Sequence, residues 1–265
     1  MTKKIFRVLL PIVVSLILYP AAFSLISDRQ DGKRSRVLVA SFSGVISPVS
    51  AEFLSQSIDS ANSGDFSAVI LELDTPGGLD VSMREIIKKI LASKVPVVTY
   101  VHPAGARAAS AGVFITMASH VAAMSPGTNI GAAHPVMIGG LPIGGGKEEE
   151  KGGKTNAMED KILNDASAYM RAIAQERKRN VEWAIKAVTK SDSISAEEAL
   201  KLKVVDFIAS DLDDLLAKMD GFDIPKSGKF RVKDAEIIRS NPTRRQRWLA
   251  AITDPNIAMI LMSLG

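Results

Sequence analysis

Apolar and polar positions along the chain fall into blocks whose period switches between about two residues and about three and a half. RVLVASFSGVI (residues 36–46) is apolar and β-branched and stops at Ser47-Pro48, which predicts a strand. Residues 50–62 then place Phe53, Leu54 and Ile58 on one helical face. FSAVILELD (66–74) is a near-continuous apolar run, the pattern of a strand covered on both faces. After Asp80, placed to cap a helix, Met83, Ile86, Ile87, Ile90 and Leu91 recur at helical spacing. VPVVTYV (95–101) is the next strand; a helix is predicted after Ser110, and HVAAM (120–124) is a short strand. Residues 160–178 carry Ile162, Ala166, Tyr169, Met170 and Ile173 at helical spacing, and a second helix is predicted over 181–190. Ser195 and Glu198 have the spacing of a capping box, VVDFIA (204–209) is a strand, and 211–219 a short helix. Such alternation implies an α/β fold with parallel or mixed strand pairing and right-handed crossovers.

Three segments break the pattern. Residues 8–26 form an apolar run behind Lys3, Lys4 and Arg7, which reads as an export signal. Ala22-Phe23-Ser24 offers a small-x-small cleavage site, yet the run approaches the ~18–20 apolar residues that span a bilayer. Cleaved signal and retained anchor both remain open. Residues 137–158, MIGGLPIGGGKEEEKGGKTNAM, are too rich in glycine and charge to bury a core, and are expected to form a surface lid that orders over substrate or against a neighbouring subunit, with an inert surface insertion as the alternative. A phosphate loop fails there, because Lys147 and Lys154 would need glycine where Leu141 and Glu148 stand. Beyond residue 221 the chain turns polar and basic; NPTRRQRW (241–248) suits either anionic head groups or a solvated tail. Residues 256–265 are apolar but too short to span, so they read as the start of a transmembrane helix or as a short terminal helix. The expected organisation is a signal or anchor with linker (1–31), a globular domain (32–221), a basic polar tail (222–255) and a possible transmembrane start (256–265).

Composition removes several function classes. None of the 265 residues is cysteine, so disulfides, thiol nucleophiles and zinc–thiolate sites are excluded. The net charge of +4 comes without an aromatic-rich basic stripe, which argues against a nucleic-acid partner. An apolar fraction of 46% suits a globular protein with membrane-associated parts.

Candidate chemistry centres on GARAASAGVFITMASH (105–120). Ser110 stands among small residues at a predicted helix start, where free N–H groups favour developing negative charge. DTPGG (74–78) ends a strand in two glycines that can turn backbone N–H groups outward, as an oxyanion donor must be turned. Taken alone, Ser110 is equally a helix cap or a packing residue. A nucleophilic serine also needs a base, exposure and exclusion of water.

The blocks LELDTPGG, PVVTYVHPAGARAASAGVFITMASHVAAMSPGTNIGAAHPV, DKILNDASAYMRAIAQERKRN and SISAEEALKLKVVDFIA occur in an order that resembles the NfeD family of membrane serine proteases, within the ClpP/crotonase superfamily. The resemblance spans roughly residues 37–209. It implies a ClpP/crotonase-like spiral of β/α units and a Ser–Lys dyad of Ser110 and Lys161. It implies oxyanion donors at the backbone N–H groups of Gly78 and Ala111, with Gly77 as a further candidate. It also implies no cofactor or metal, an extracytoplasmic domain at a membrane, a homodimer or higher homo-oligomer, and substrates with apolar segments in stomatin-like (SPFH) membrane proteins. A lysine works as base only when deprotonated, which burial or a nearby cation favours. Lys161, read as lying at a helix start with Ile162 and Leu163 beside it, suits that demand, although Glu159 and Asp160 oppose it. His134 is the rival base, 24 positions after Ser110 (134 − 110), as in the Ser–His–Asp arrangement of ClpP. His102 and His120 are expected to be structural. Two other functions compete: an inactive scaffold that binds a stomatin-like partner, and a crotonase-type acyl-CoA enzyme, against which the export signal argues.

Overall fold

The computed structural model describes residues 35–136, 154–224 and 228–252. The candidate signal or anchor, the cleavage site, residues 137–153 of the expected lid and the apolar terminus at 256–265 lie outside them. In chain order the elements are β1 (Arg36–Ser43), α1 (Pro48–Ser63), β2 (Ala68–Asp74), α2 (Asp80–Ala92), β3 (Val97–Val101), β4 (Arg107–Ala109), α3 (Ala111–Ala118), β5 (Val121–Met124) and β6 (Asn129–Gly131). There follow α4 (Lys154–Glu176), α5 (Val181–Thr189), β7 (Ser193–Ser195), α6 (Ala196–Lys201), β8 (Phe207–Ile208), α7 (Leu212–Met219), β9 (Asp223–Ile224), β10 (Gly228–Lys229), β11 (Glu236–Ser240) and α8 (Arg244–Ile252).

Six strands form a sheet in the order β11-β1-β2-β3-β5-β8, with every neighbouring pair parallel. The two-residue period of the strands sorts their side chains onto two faces. Leu38, Ala40, Val69, Leu71 and Val97 point to one face, where Phe53, Leu54 and Ile58 of α1, Ile86, Ile87 and Ile90 of α2, and Val113 and Met117 of α3 close the core. Val37, Val39, Ile70, Val98 and Tyr100 point to the other, against Leu215 and Met219 of α7. A small sheet, β4-β6-β7, lies beyond the carboxyl ends of the main strands, the edge at which open parallel sheets hold their ligands.

Four local expectations change. Asp80 does not cap α2: Leu79 is the N-cap, without a side-chain bond, and Asp80 instead accepts from Arg84 one turn on. Helix α4 begins at Lys154, so the last residues of the expected loop are helical and extend the spacing from Ile162 back to Met158. Strand β8 keeps only Phe207 and Ile208; Val204 and Val205 are buried in the turn before it. Composition ends the domain at residue 221, but β11 pairs with β1 and both Phe230 and Val232 are buried, so the basic segment adds a strand to the sheet. The capping box of Ser195 and Glu198 forms as its spacing implies.

Helix α3 is held from its far end. Arg177 donates to the carbonyl of Ala118 at 2.6 Å. Arg179 reaches the carbonyl of Ser119 at 3.2 Å and Asp206 at 2.9 Å. Cations suit a helix C-terminus, where the carbonyl dipoles sum to partial negative charge. Between them His120 accepts the Val97 N–H on Nδ1 at 3.1 Å. Burial, and then Arg177 and Arg179, lower its pKa from 6.5 to about 4. The folded protein therefore holds this imidazole neutral while the unfolded chain protonates it, so stability is retained above about pH 6.5 and is lost as pH falls toward 4. With the ring partly exposed, about 2 kcal/mol of stability should disappear across that window. Urea unfolding at pH 7.5 and pH 4.5 measures it. His120→Asn, whose amide oxygen can still take the Val97 N–H, should flatten the difference; an equal loss in that variant would assign the effect to other groups.

Candidate active site

The turn after β2 is built on Thr75. Its hydroxyl accepts the Gly77 N–H at 3.1 Å and donates back to the Gly77 carbonyl at 3.2 Å. The outgoing chain then locks against the β1–α1 loop: Ile46 N–H donates to the Gly77 carbonyl, and Leu79 N–H to the Ile46 carbonyl, both at 2.8 Å. This approach requires glycine. A Cβ at Gly78 (φ 158°) would lie 2.1 Å from the Ile46 carbonyl oxygen, and one at Gly77 (φ 116°) would lie 2.6 Å from Cβ of Ser110. The glycine pair thus sets the backbone directly beside Ser110. The Gly77 N–H is used inside the turn, whereas no bond that builds the turn uses the Gly78 N–H.

Ser110 sits between β4 and α3, its N–H held by the Gly131 carbonyl at 3.1 Å. Its backbone is at φ 52°, ψ −112°, a conformation that costs a side-chain-bearing residue about 1–3 kcal/mol. The hydroxyl returns nothing for this as a cap, because Ser110 makes no side-chain capping bond to α3. The capping explanation for this serine is therefore not what the structure contains. Ala111 is the first residue of α3, so no earlier helical carbonyl can take its N–H.

A cavity of about 610 Å³ is lined by Gly78, Ser110, Ala111 and Lys161 together. Met83, Phe114, Met158 and Ile162 supply apolar wall. Neither Gly77 nor His134 lines it. His134 is exposed and turned to α5, its Nδ1 3.0 Å from the Val188 carbonyl oxygen. His102 lies 2.9 Å from the Ser125 hydroxyl, which donates to Tyr100. Lys161 is exposed and lies two turns inside α4, not at the helix start and not buried by Ile162 and Leu163 as expected. Among the described residues no group of three or more histidine or acidic side chains is placed to hold a metal ion.

Sequence reasoning missed a group at this cavity: Arg84 and Asp165, which line it, and Tyr169, which packs against Arg84. Arg84 binds Asp80 through Nε at 2.9 Å and Asp165 through Nη2, and its guanidinium lies 4.3 Å from the Tyr169 ring centroid. Burial works against the Arg84 charge, but the Asp80 hydrogen bond and the Asp80 and Asp165 carboxylates outweigh it and raise its pKa. The four-residue spacings of Asp80 with Arg84 and of Asp165 with Tyr169 were visible in the sequence, but not the contact between the two helices.

The sequence signature described as NfeD1b, N-terminal domain, matches residues 37–224. The chain belongs to that family. It is 37% identical over 234 residues, 86% of its length, to the membrane-bound protease PH1510 of Pyrococcus horikoshii. It is 27% identical over 228 residues, 81% of its length, to the membrane protein NfeD1b of Bacillus subtilis. The chain spans about half the length of these curated relatives, 51% and 46%. Among solved structures it resembles 1510-N, a membrane-bound stomatin-specific protease, as a lysine-to-alanine variant in complex with a substrate peptide. That match has a TM-score of 0.73 at 36% identity and covers 84% of this chain and 99% of that one. A serine-to-alanine variant of 1510-N matches at 0.69 and 35% identity, covering 79% and 99%. The α/β fold of this family member, with its parallel sheet, is thus the ClpP/crotonase-like fold of 1510-N.

Proposed function

We propose that this domain is a serine endopeptidase in which Ser110 is the nucleophile and Lys161 the general base. The observation that carries the reading is the convergence in one cavity of a serine held at positive φ without a capping role, a lysine, and two backbone N–H groups at Gly78 and Ala111. Ser110 Oγ attacks the peptide carbonyl while Lys161 Nζ takes its proton. The carbonyl oxygen becomes an oxyanion facing the Gly78 and Ala111 N–H groups. Lys161 returns the proton to the leaving amine; its neutral Nζ then takes a proton from water as the water oxygen attacks the acyl carbon, and gives that proton to Ser110 Oγ as the ester bond breaks. Active-site labelling tests the reading: a fluorophosphonate should esterify Ser110, located by peptide mass spectrometry. An unlabelled Ser110 in folded protein would leave a binding scaffold as the better account.

The substrate reading is a peptide with apolar side chains, from a stomatin-like membrane protein. The apolar wall of the cavity supports the first part, and the similarity to a stomatin-specific protease the second. A membrane location is supported by α8 and by the membrane-bound relative. Trp248 and Ile252 are 71% and 56% exposed, and the helical period places them on one face with Arg244 and Arg245, away from buried Gln246. Among the described residues no helix is long and apolar enough to cross a membrane. The domain should therefore co-sediment with vesicles containing phosphatidylglycerol more than with neutral ones, and Trp248→Ala should weaken this. Equal recovery with both vesicles would remove the assignment of α8 to an anionic surface.

A further inference from the structure

The three parts of the proposed site sit on three different helices, and one stack of side chains joins those helices one or two turns behind it. Gly78 leads into α2, which carries Asp80 and Arg84. Ser110 leads into α3, which carries Phe114 one turn on. Lys161 lies on α4, which carries Asp165 one turn on and Tyr169 two turns on. Arg84 binds Asp165 and covers one face of Tyr169, and Tyr169 stacks on Phe114 with ring centroids 6.2 Å apart and planes inclined by 22°. Arg84, Phe114, Asp165, Ser110 and Lys161 all line the same cavity.

We propose that Arg84 is a positioning residue for the Ser110–Lys161 pair: it clamps the lysine helix to the serine helix through Tyr169 and Phe114, and it occupies the carboxylate of Asp165 that would otherwise pair with Lys161. The proposal rests on the dyad reading given above. Its electrostatic half follows from spacing. Lys161 and Asp165 are four residues apart on α4, the separation at which a lysine and a carboxylate meet on a helix surface. A carboxylate so placed holds a lysine in its ammonium form, which cannot take a proton from serine. Asp165 is 69% exposed along its side chain, yet it turns to Arg84, whose side chain is 26% exposed. Arg84 thus withdraws an anion from Lys161 and brings a fixed cation near it. Among the described residues, the other charged groups beside Lys161 in the chain or on the same cavity are Glu159 and Asp160 on its own helix and Asp80 on α2, itself bound to Arg84. Helix α3 contributes Ala111 and Phe114 to this cavity and no charge, and on α5 Glu182 and Lys186 pair with each other at 2.7 Å. Lysine could not replace Arg84, because one ammonium neither forks to two carboxylates nor lies flat on a ring in the same way.

The test uses the intact chain and three variants, with ester hydrolysis and competitive acetylation of Lys161 by acetic anhydride each followed against pH. Arg84→Met should lower kcat roughly 10- to 100-fold with KM little changed, the cost of a slightly misplaced base. It should also move the rise of rate, and of Lys161 acetylation, to higher pH, since Asp165 is then free to pair with Lys161. Asp165→Asn should move both to lower pH. The double variant should recover the pH position of the wild type but not its full kcat. Opposite displacements by the two single variants are not expected of a brace that acts only on folding. Displacements in the same direction, or none in folded variants, would overturn the proposal. If Arg84→Met does not fold, Asp165→Asn and the acetylation curve decide alone. A wild type whose Ser110 is never labelled would refute the peptidase reading, whereas the acetylation curves would still uphold or overturn the role of Arg84.

Discussion

Ser110→Ala should lose peptide hydrolysis by roughly 10^4-fold or more in kcat/KM, with fluorophosphonate labelling lost at the same position. The expected size follows from the mechanism, in which no acyl-enzyme forms without Oγ. Neighbouring groups that act as a unit then contribute only what orientation and the oxyanion donors supply. The fold should be nearly indifferent. Oγ makes no capping bond to α3, and the backbone strain at φ 52° is the same for alanine, so unfolding free energy should change by less than about 1 kcal/mol. Hydrolysis of an apolar peptide, read beside urea unfolding of the same preparation, separates the two effects. Activity retained in Ser110→Ala would place the nucleophile elsewhere.

Lys161→Ala should lower kcat by roughly 10^2- to 10^4-fold, the range associated with loss of a general base. His134→Ala should leave kcat little changed. The structure separates the two candidates by direction: Lys161 lines the cavity with Ser110, while His134 faces the Val188 carbonyl and lines no part of it. Loss of the His134 contact should instead appear as no more than about 1 kcal/mol of stability. Steady-state kinetics of both variants on one peptide measure the ordering. An inactive His134→Ala beside an active Lys161→Ala would restore the histidine as base and set aside the dyad.

Much of the architecture was legible because it depends on local periodicity. The two-residue alternation in RVLVASF and the helical spacing of Met83, Ile86, Ile87 and Ile90 each report which side of an element meets the core, and both faces are occupied as the patterns require. The capping box at Ser195 was legible for the same reason, since its partners are three residues apart. Boundaries were less so. Leu79 rather than Asp80 caps α2, because Asp80 has a better partner in Arg84 and the Leu79 N–H is already drawn to Ile46. The strand β11 escaped notice because its merit lies in β1, two hundred residues earlier, and not in its own polar surroundings.

The site divides in the same way. Local chemistry singled out Ser110 at a helix start and the glycine pair of TPGG, but only the family resemblance carried by the order of the blocks implied Lys161 as base and Gly78 and Ala111 as oxyanion donors. What the chain order does not contain is distance between elements. That His134 turns to α5 and that Arg84 meets an aspartate 81 residues away were decided by tertiary packing alone. Backbone pattern acts over one or two turns, whereas these contacts depend on how three helices come to rest on one face of a shared sheet.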